Sequence, residues 1–425
     1  MTTYGLGIAS RIKADLRYPV EFSCLLALVF FLPLFESPKN ICWLLYVVTW
    51  VCNRVRAREW GGPWNAWDSL IALWIASGYV VAAFAGLHHD EWSAANDIFR
   101  YGSLLWLAKR SRYAEPQLLA VLGTVVVSTL VTLVWAFWDM VVVKSTAALQ
   151  LNSVGYFNHS AIYLAIVFGV ALSLALAYRS KMSVRGRVVL DLTTLVLAAS
   201  VFFTTSRGGV ATALLLALAY VSLFAARTDR SVIKAAVGVI AVAALLLAAV
   251  PTILERTKEQ AEAGHLLSYR EKIWSNGLIE WRRFPLFGVG MGNFGRRSWE
   301  DLQTWSKEQG WGIRPSQERL AFLAPHGHSL YINTLAERGL FGFGVLALVL
   351  VAWARSLLAF LPGASSPPVV WAVFGGAFAG WFVTVTAGIV NTSLHHEHGI
   401  LAALLLGLWL GLCETGVSER SLLRR

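Results

Sequence analysis

The feature that most constrains this chain is the repeated alternation of long apolar stretches with short connections rich in arginine and lysine. The apolar stretches fall at 20–36, 40–53, 67–87, 94–108, 117–143, 159–178, 187–205, 208–225, 232–250, 328–360, 369–390 and 399–414. In hydrocarbon only a helix or a closed barrel satisfies every backbone polar group, and runs of this length read as helices, about twelve of them. The short ones, 40–53 and 94–108, require tilt or a partly interfacial setting. Hydrophobic residues make up 56% of the chain and charged residues 14%, a balance that sets it apart from soluble proteins. The expected fold class is an all-α polytopic membrane protein, one integral membrane domain over residues 1–425.

A formal net charge of +11 would suit nucleic-acid binding if it were gathered on one surface. It is distributed instead over the connections: Arg54, Arg56 and Arg58, then Lys109, Arg110 and Arg112, then Arg179, Lys181, Arg185 and Arg187, then Arg227, Arg230 and Lys234, with Arg420, Arg424 and Arg425 at the end. These groups follow alternate spans, so the positive-inside rule puts them and both termini in the cytoplasm, and no nucleic-acid partner is expected. Residues 1–18 are basic and lead into the first span without a small-residue cleavage site, as in an uncleaved anchor. The cysteines, Cys24, Cys42, Cys52 and Cys413, lie in or beside spans, so no structural disulfide is expected in the outer loops. The outer side then receives the long polar segment 251–327, between spans nine and ten, expected to form a helical cap over the membrane face.

Two arginines stand out because each is expected in the first turn of a helix, where the dipole is already positive. Arg207 sits in Thr204-Thr205-Ser206-Arg207-Gly208-Gly209, with Ser206 as a hydroxyl cap. Arg270 sits in Ser268-Tyr269-Arg270-Glu271, which reads as a capping box opening an amphipathic helix with Ile273, Trp274, Leu278, Trp281 and Phe284 on one side and Pro285 as its stop. An interfacial anchor explains Arg207 alone, and an ion pair with Glu271 or Glu255 explains Arg270 alone. Together they suit an anion, and a pyrophosphate in particular, because guanidinium binds phosphate oxygens bidentately.

His326 and His328, in Pro325-His326-Gly327-His328-Ser329, precede the next span, and a helix start there favours a neutral ring able to act as a general base. Residue chemistry alone leaves the choice between them open. Gly288-Val289-Gly290-Met291-Gly292 lacks the flanking strand and helix of a dinucleotide loop and reads as a chain reversal. The run His395-His396-Glu397-His398 has no further ligand group beside it, so no metal site is assigned. Trp274, Trp281, Trp299, Trp305 and Trp311 are expected to pack the long loop or sit at the interface, with sugar stacking as the alternative.

With these residues in view, the chain resembles the O-antigen ligase and polymerase superfamily of bacterial envelope glycosyltransferases, most closely the ligases. His328-Ser329, followed by Gly339-Leu340-Phe341-Gly342, keeps the spacing of the family's histidine motif. Arg207 matches the family's arginine motif, with Ala211 where leucine is expected. Arg270-Glu271-Lys272-Ile273-Trp274 through Gly290 resembles the second arginine segment, and Gly155-Tyr156-Phe157-Asn158-His159 resembles the loop before span six. The resemblance covers residues 150–345.

The resemblance implies a glycosyltransferase of the GT-C type in the bacterial inner membrane, with its active site on the periplasmic side. The donor would be an undecaprenyl-pyrophosphate-linked O-antigen and the acceptor a sugar hydroxyl of lipid A–core, joined with inversion and without a metal or other cofactor. His328, Arg207 and Arg270 would be catalytic, and Ser206, His326 and Asn158 would join the arginines in substrate binding. An O-antigen polymerase or a protein O-oligosaccharyltransferase would use the same donor and the same motifs. A transporter or flippase is the alternative of another class; related halves and ionisable groups at the membrane midplane would mark it, whereas here the distinctive polar residues gather on one outer face.

Overall fold

The computed structural model describes residues 18–228, 230–249, 255, 258, 262, 267–310 and 312–422. The basic leader up to residue 17, Trp311, Arg424 and Arg425 lie outside the described residues, and so do the two chain ends expected in the cytoplasm. Every apolar stretch becomes a helix: α1 (Pro19–Phe31), α2 (Glu36–Ala57), α3 (Ala66–Ala83), α4 (Glu91–Ser111), α5 (Glu115–Trp138), α6 (Phe157–Tyr178), α7 (Val184–Phe203), α8 (Arg207–Arg227) and α9 (Val232–Ala249). The long polar connection adds α10 (Arg270–Arg283), α11 (Trp299–Gln309) and α12 (Arg319–Phe322), and the chain closes with α13 (Leu330–Ala359), α14 (Pro368–Ala387) and α15 (His396–Leu422). Among the described residues no strand forms.

This is a multi-pass membrane architecture. Against an expectation of about twelve spans, length and composition support 8 among the described residues: α3, α5 to α8 and α13 to α15. Helices α1 and α9 are apolar but shorter. Helices α2 and α4 have 22 and 21 residues but are too rich in charge. The tertiary structure neutralises much of that charge. At one end of the bundle, Asp68 of α3 accepts from Lys109 (3.0 Å) and Arg110 (2.6 Å) of α4, and Glu21 of α1 pairs with Arg54 of α2 (3.1 Å). At the other end, Lys39 of α2 pairs with Glu397 of α15. Each charge in these pairs is buried and meets its opposite, the condition for tolerating ions away from water.

Helix α6 is apolar all round and nearly all of it is buried, the expected state of a helix with no polar face. It packs on α14 through small residues, with no room for a side chain at Gly169 beside Ala379 or at Gly375 beside Ser173. Helices α4 and α15 pack along each other to complete this centre.

The stretch 328–360, read from sequence as one continuous span, is broken. Gly339 takes φ 58° and ψ −165°, so α13 is a short helix to Arg338 followed by the longer membrane piece. The break releases backbone groups that cannot be left bare in a buried setting. The segment 285–290 satisfies them: Leu340 and Phe341 donate to the Pro285 and Leu286 carbonyls (2.8 and 3.0 Å), while Val289 and Gly290 donate to those of Ala336 and Glu337 (both 2.9 Å). On its other side the Gly288 and Val289 carbonyls accept from Gly86 and Leu87, each at 3.0 Å. The glycine-rich run is thus a backbone clamp between α3 and α13. Gly342 has its own reason: a Cβ there would collide with Arg338, whose side chain lies across it.

The capping box expected at Ser268 and Glu271 does not form. Helix α10 starts behind Tyr269 at φ 63°, with no side-chain cap, and the Ser268 hydroxyl accepts from Arg207 instead. The box in this part of the chain belongs to Ser298 and Asp301, at the head of α11. The buried face of α10 also differs from the apolar stripe expected: Ile273, Asn276, Gly277, Ile279 and Glu280 point inward, while Trp274, Leu278, Trp281 and Phe284 are half-buried. The polar members are held by the wrapping loop. Asn276 donates to the Ala321 carbonyl and accepts the Ser316 N–H (3.3 and 3.0 Å), and Glu280 pairs with buried Arg297 at 2.7 Å. Burial, against the pull of Arg297, pushes the Glu280 carboxyl up to about 8. The loop tryptophans pack locally, Trp305 in a cluster with Ile279 and Leu302 and Trp299 edge-on to Phe322.

Candidate functional site

The site lies at the end of the bundle where α6, α8 and α13 begin and α14 ends. Ser206 caps α8, its hydroxyl accepting the Gly209 N–H (3.3 Å) and donating to Asn158 Oδ1 (2.7 Å) in the first turn of α6. Asn158 therefore locks the two helix starts together and orients the first residue of α8, Arg207. The Arg207 guanidinium donates to the Ser268 hydroxyl at 3.1 Å. Ser268 and Tyr269 both take left-handed backbone (φ 51° and 63°), a turn that brings Arg270 in beside it.

Arg270 is steadied by two backbone carbonyls that lie outside the helices. Its Nε donates to Val390 O, just past α14, at 2.7 Å, and its Nη1 to Leu267 O at 3.2 Å. The same end of α14 captures the start of α13: Gly388 O accepts from the Leu330 N–H (2.8 Å) and the Ser329 hydroxyl (3.1 Å). His328, at φ 45°, is thereby turned out of line with α13, and its carbonyl accepts from Trp274 at 3.5 Å. Its Nδ1 is buried and makes no hydrogen bond.

Arg207, Arg270 and His328 line one cavity of about 900 Å³ together with Asn158 and Ser206. Of the catalytic and substrate-binding residues that the resemblance implies, His326 is the one that faces elsewhere. Its ring lies edge-on to that of His328 with centroids 4.3 Å apart, but it lines a second cavity of about 400 Å³ and sits 3.4 Å from the Thr392 hydroxyl. The expectation that His326 shares the pocket of the arginines is therefore corrected. Two positions apart, the rings would share a side in an extended segment; the left-handed backbone at His328 (φ 45°) sets them towards different cavities instead.

The cavity has a charged floor and an apolar wall. Burial, then the neighbouring Arg207 charge, lowers the Arg270 guanidinium from its ordinary value, the mark of two cations sharing a confined space. Burial, then His326 and Arg270, push His328 down to about 3, and burial and His396 hold His326 at about 4. Both imidazoles are neutral near pH 7. Ala211 and Leu215 of α8 stand opposite Ile389, and Leu215 and Ile389 are exposed on the flank of the protein. Ala211, where the resembled motif has leucine, is part of this wall. A third arginine, Arg319 of α12, lines the cavity from the loop; its surroundings in sequence held no signal for it.

The histidine run does not gather ligands. Glu397 is engaged by Lys39 and Ser153, His398 Nε2 lies 3.4 Å from Thr392 O, and among the described residues no three His, Cys, Asp or Glu side chains converge so as to hold a metal ion.

Residues 192–347 match a family model described as O-antigen ligase. Over that segment the chain is similar to the O-antigen ligase family. The segment runs from α7 to the first half of α13 and so carries Arg207, Arg270 and His328, the charged part of the cavity, while Asn158 lies before it. Members of the superfamily are glycosyltransferase-like enzymes of lipid-linked glycans, working in a membrane setting. No curated protein matches the chain.

Proposed function

We propose that this protein is an O-antigen ligase of the GT-C type in the bacterial inner membrane. It transfers a glycan from undecaprenyl pyrophosphate to a sugar hydroxyl of lipid A–core on the periplasmic face. The observation that carries the reading is the meeting of Arg207, Arg270 and His328, from three separate parts of the chain, in one cavity with an apolar flank. A polyprenyl pyrophosphate has the complementary form: two adjoining anionic groups on a long apolar tail.

In this reading Arg207 and Arg270 hold the pyrophosphate. They gain most when the bond from the anomeric carbon to the phosphate oxygen breaks and negative charge grows on the leaving group. Asn158 and Ser206 keep Arg207 in place. The acceptor oxygen attacks the anomeric carbon from the opposite side, inverting it, and its proton passes to neutral His328. A neutral imidazole keeps one nitrogen lone pair, as a general base requires. A bound pyrophosphate offsets the positive field of Arg270 that helps depress the imidazole, so the donor itself makes His328 a better base. The chemistry needs no metal, because the two guanidinium groups supply the charge.

The test is in vitro transfer with purified protein, polyprenyl-pyrophosphate glycan and lipid A–core, comparing wild type with His328→Ala and His326→Ala. The expected result is loss with His328→Ala and retained transfer with His326→Ala. Donor chains that lengthen while lipid A–core stays unmodified would make the protein a polymerase.

A further inference from the structure

The second cavity, on the other side of the paired His326 and His328 rings, contains a buried cation that the reaction described above does not use. Arg338 closes the short first piece of α13 and is 7% exposed. Its Nη2 donates to the Ser77 hydroxyl at 2.6 Å and its Nε has no hydrogen-bond partner. The adjacent carboxylate acts on Arg338 through its charge and not through a hydrogen bond: Glu337 accepts from the Gly292 and Phe294 N–H groups (3.1 and 3.4 Å) and from Asn333 (2.9 Å), securing the clamp. The arginines buried at other helix ends, Arg54 and Arg110, are matched by Glu21 and Asp68. Arg338 faces a cavity of about 400 Å³ with a mixed lining, apolar residues such as Trp74 and Ile98 beside Asp97, Tyr101, His326, Asn333 and His395. A buried guanidinium at such a cavity is stabilised most by an anion brought from outside.

We propose that this cavity is a subsite for an acidic sugar, one bearing a phosphate or a carboxylate, and that Arg338 binds the acid group. This inference rests on the ligase reading for its biological role, since it makes the subsite part of the acceptor glycan's binding surface. The hydroxyl donors and amide around the cavity, Tyr101, Thr334, Thr392 and Asn333, suit a sugar ring. Placement behind His326 puts the bound sugar next to, and apart from, the pyrophosphate cavity, as two substrates of one transfer require. Gly342 keeps the space in which the Arg338 side chain lies.

The experiment uses the full chain in detergent without donor. Radiolabelled glucose 6-phosphate, glucuronate and glucose are compared by equilibrium dialysis in wild type and in Arg270→Ala, which separates the Arg207 and Arg270 cavity from the second one. The two acids should bind more tightly than glucose by about tenfold or more, a preference lost in Arg338→Met and partly kept in Arg338→Lys. Asp97→Asn, at a half-exposed position, removes a negative charge from the same cavity and should tighten the acids but leave glucose unchanged; this variant keeps the test decisive if Arg338→Met does not fold. Equal binding of acidic and neutral probes, unchanged preference in Arg338→Met, or no response to Asp97→Asn overturns the proposal, as does a preference that disappears in Arg270→Ala alone. In transfer assays, enzymatic removal of phosphate from the lipid A–core should raise KM for wild type and leave that of Arg338→Met unaltered. If wild type binds glucose 6-phosphate through Arg338 but transfers nothing to lipid A–core, the ligase reading fails and the subsite stands.

Discussion

Two clusters of basic residues sit at opposite ends of this bundle, and they differ in what answers their charge. At one end Lys109 and Arg110 meet Asp68, with Trp106 adding a hydrogen bond at 2.9 Å and Glu414 reaching Lys109 at 2.6 Å. The carboxylates come from the chain itself, and they cancel the charge of the cations they touch. At the other end Arg270 is held by the neutral carbonyls of Val390 and Leu267 and shares a cavity of about 900 Å³ with Arg207. Carbonyl partners orient a guanidinium without cancelling its charge. The first arrangement joins helices; the second orients Arg270 at a cavity. Counting arginines does not separate the two, whereas identifying their partners does.

The contrast breaks most plainly under mutation. Arg270→Ala and Arg207→Ala should each lower transfer by about 10²–10³-fold, the range for removing a charge-stabilising group from a transition state, with an unchanged thermal unfolding midpoint in detergent. Near-normal transfer by either variant would sink the pyrophosphate assignment. Asp68→Ala should do the reverse. Leaving Lys109 and Arg110 buried without their acid should cost about 3–5 kcal/mol of stability, read as a fall in the unfolding midpoint, while turnover per folded molecule stays near wild type. If Asp68→Ala instead abolishes turnover in protein that remains folded, the two clusters are coupled and the comparison fails.

Acid sharpens the same distinction. His328 and His326 are lowered to about 3 and about 4 from an ordinary 6.5. Between those values the unfolded chain binds more protons than the folded one, so their contribution to stability is complete above pH 6.5 and is lost as pH falls towards about 4 and then about 3. The kcat/KM of the free enzyme should therefore show no protonation step from these rings near 6.5, and a step there that vanishes in His328→Gln would contradict the burial of His328. The smallest effect is expected from Ser206→Ala. Losing the cap of α8 costs about 1 kcal/mol, and the loosened Arg207 should lower transfer a few-fold, a loss visible as reduced kcat with little change in the unfolding midpoint.

Much of the fold was legible because hydrocarbon leaves the backbone few choices. Each apolar stretch became a helix, and the positions of Arg207 and Ser206 at the head of α8 followed from a hydroxyl cap and a glycine pair. The site was legible in part. Arg207, Arg270, His328, Asn158 and Ser206 do line one cavity, yet His326 does not, and Arg319 gave no sign of itself. The capping box at Ser268 failed because its hydroxyl was claimed by Arg207, a residue far away in the chain. The stripe of α10 failed for a related reason: Asn276 and Glu280 turn inward because the wrapping loop supplies their partners.

The division between sequence and tertiary structure follows the range of the forces involved. Apolar length, helix caps and the placement of basic connections act within a few residues, so the sequence alone determined a helical membrane protein with a polar cap and two arginines at helix starts. Which charges are cancelled, which stay open to a ligand, and where a helix can break were decided by contacts between distant segments. The Gly339 break is possible only because residues 285–290 arrive to take up its backbone groups. Arg338 makes no direct ion pair with Glu337 because the Glu337 carboxylate is held by that same arrangement. In a medium of low dielectric, the value of a charge depends on the partner beside it, and only the folded chain brings that partner in.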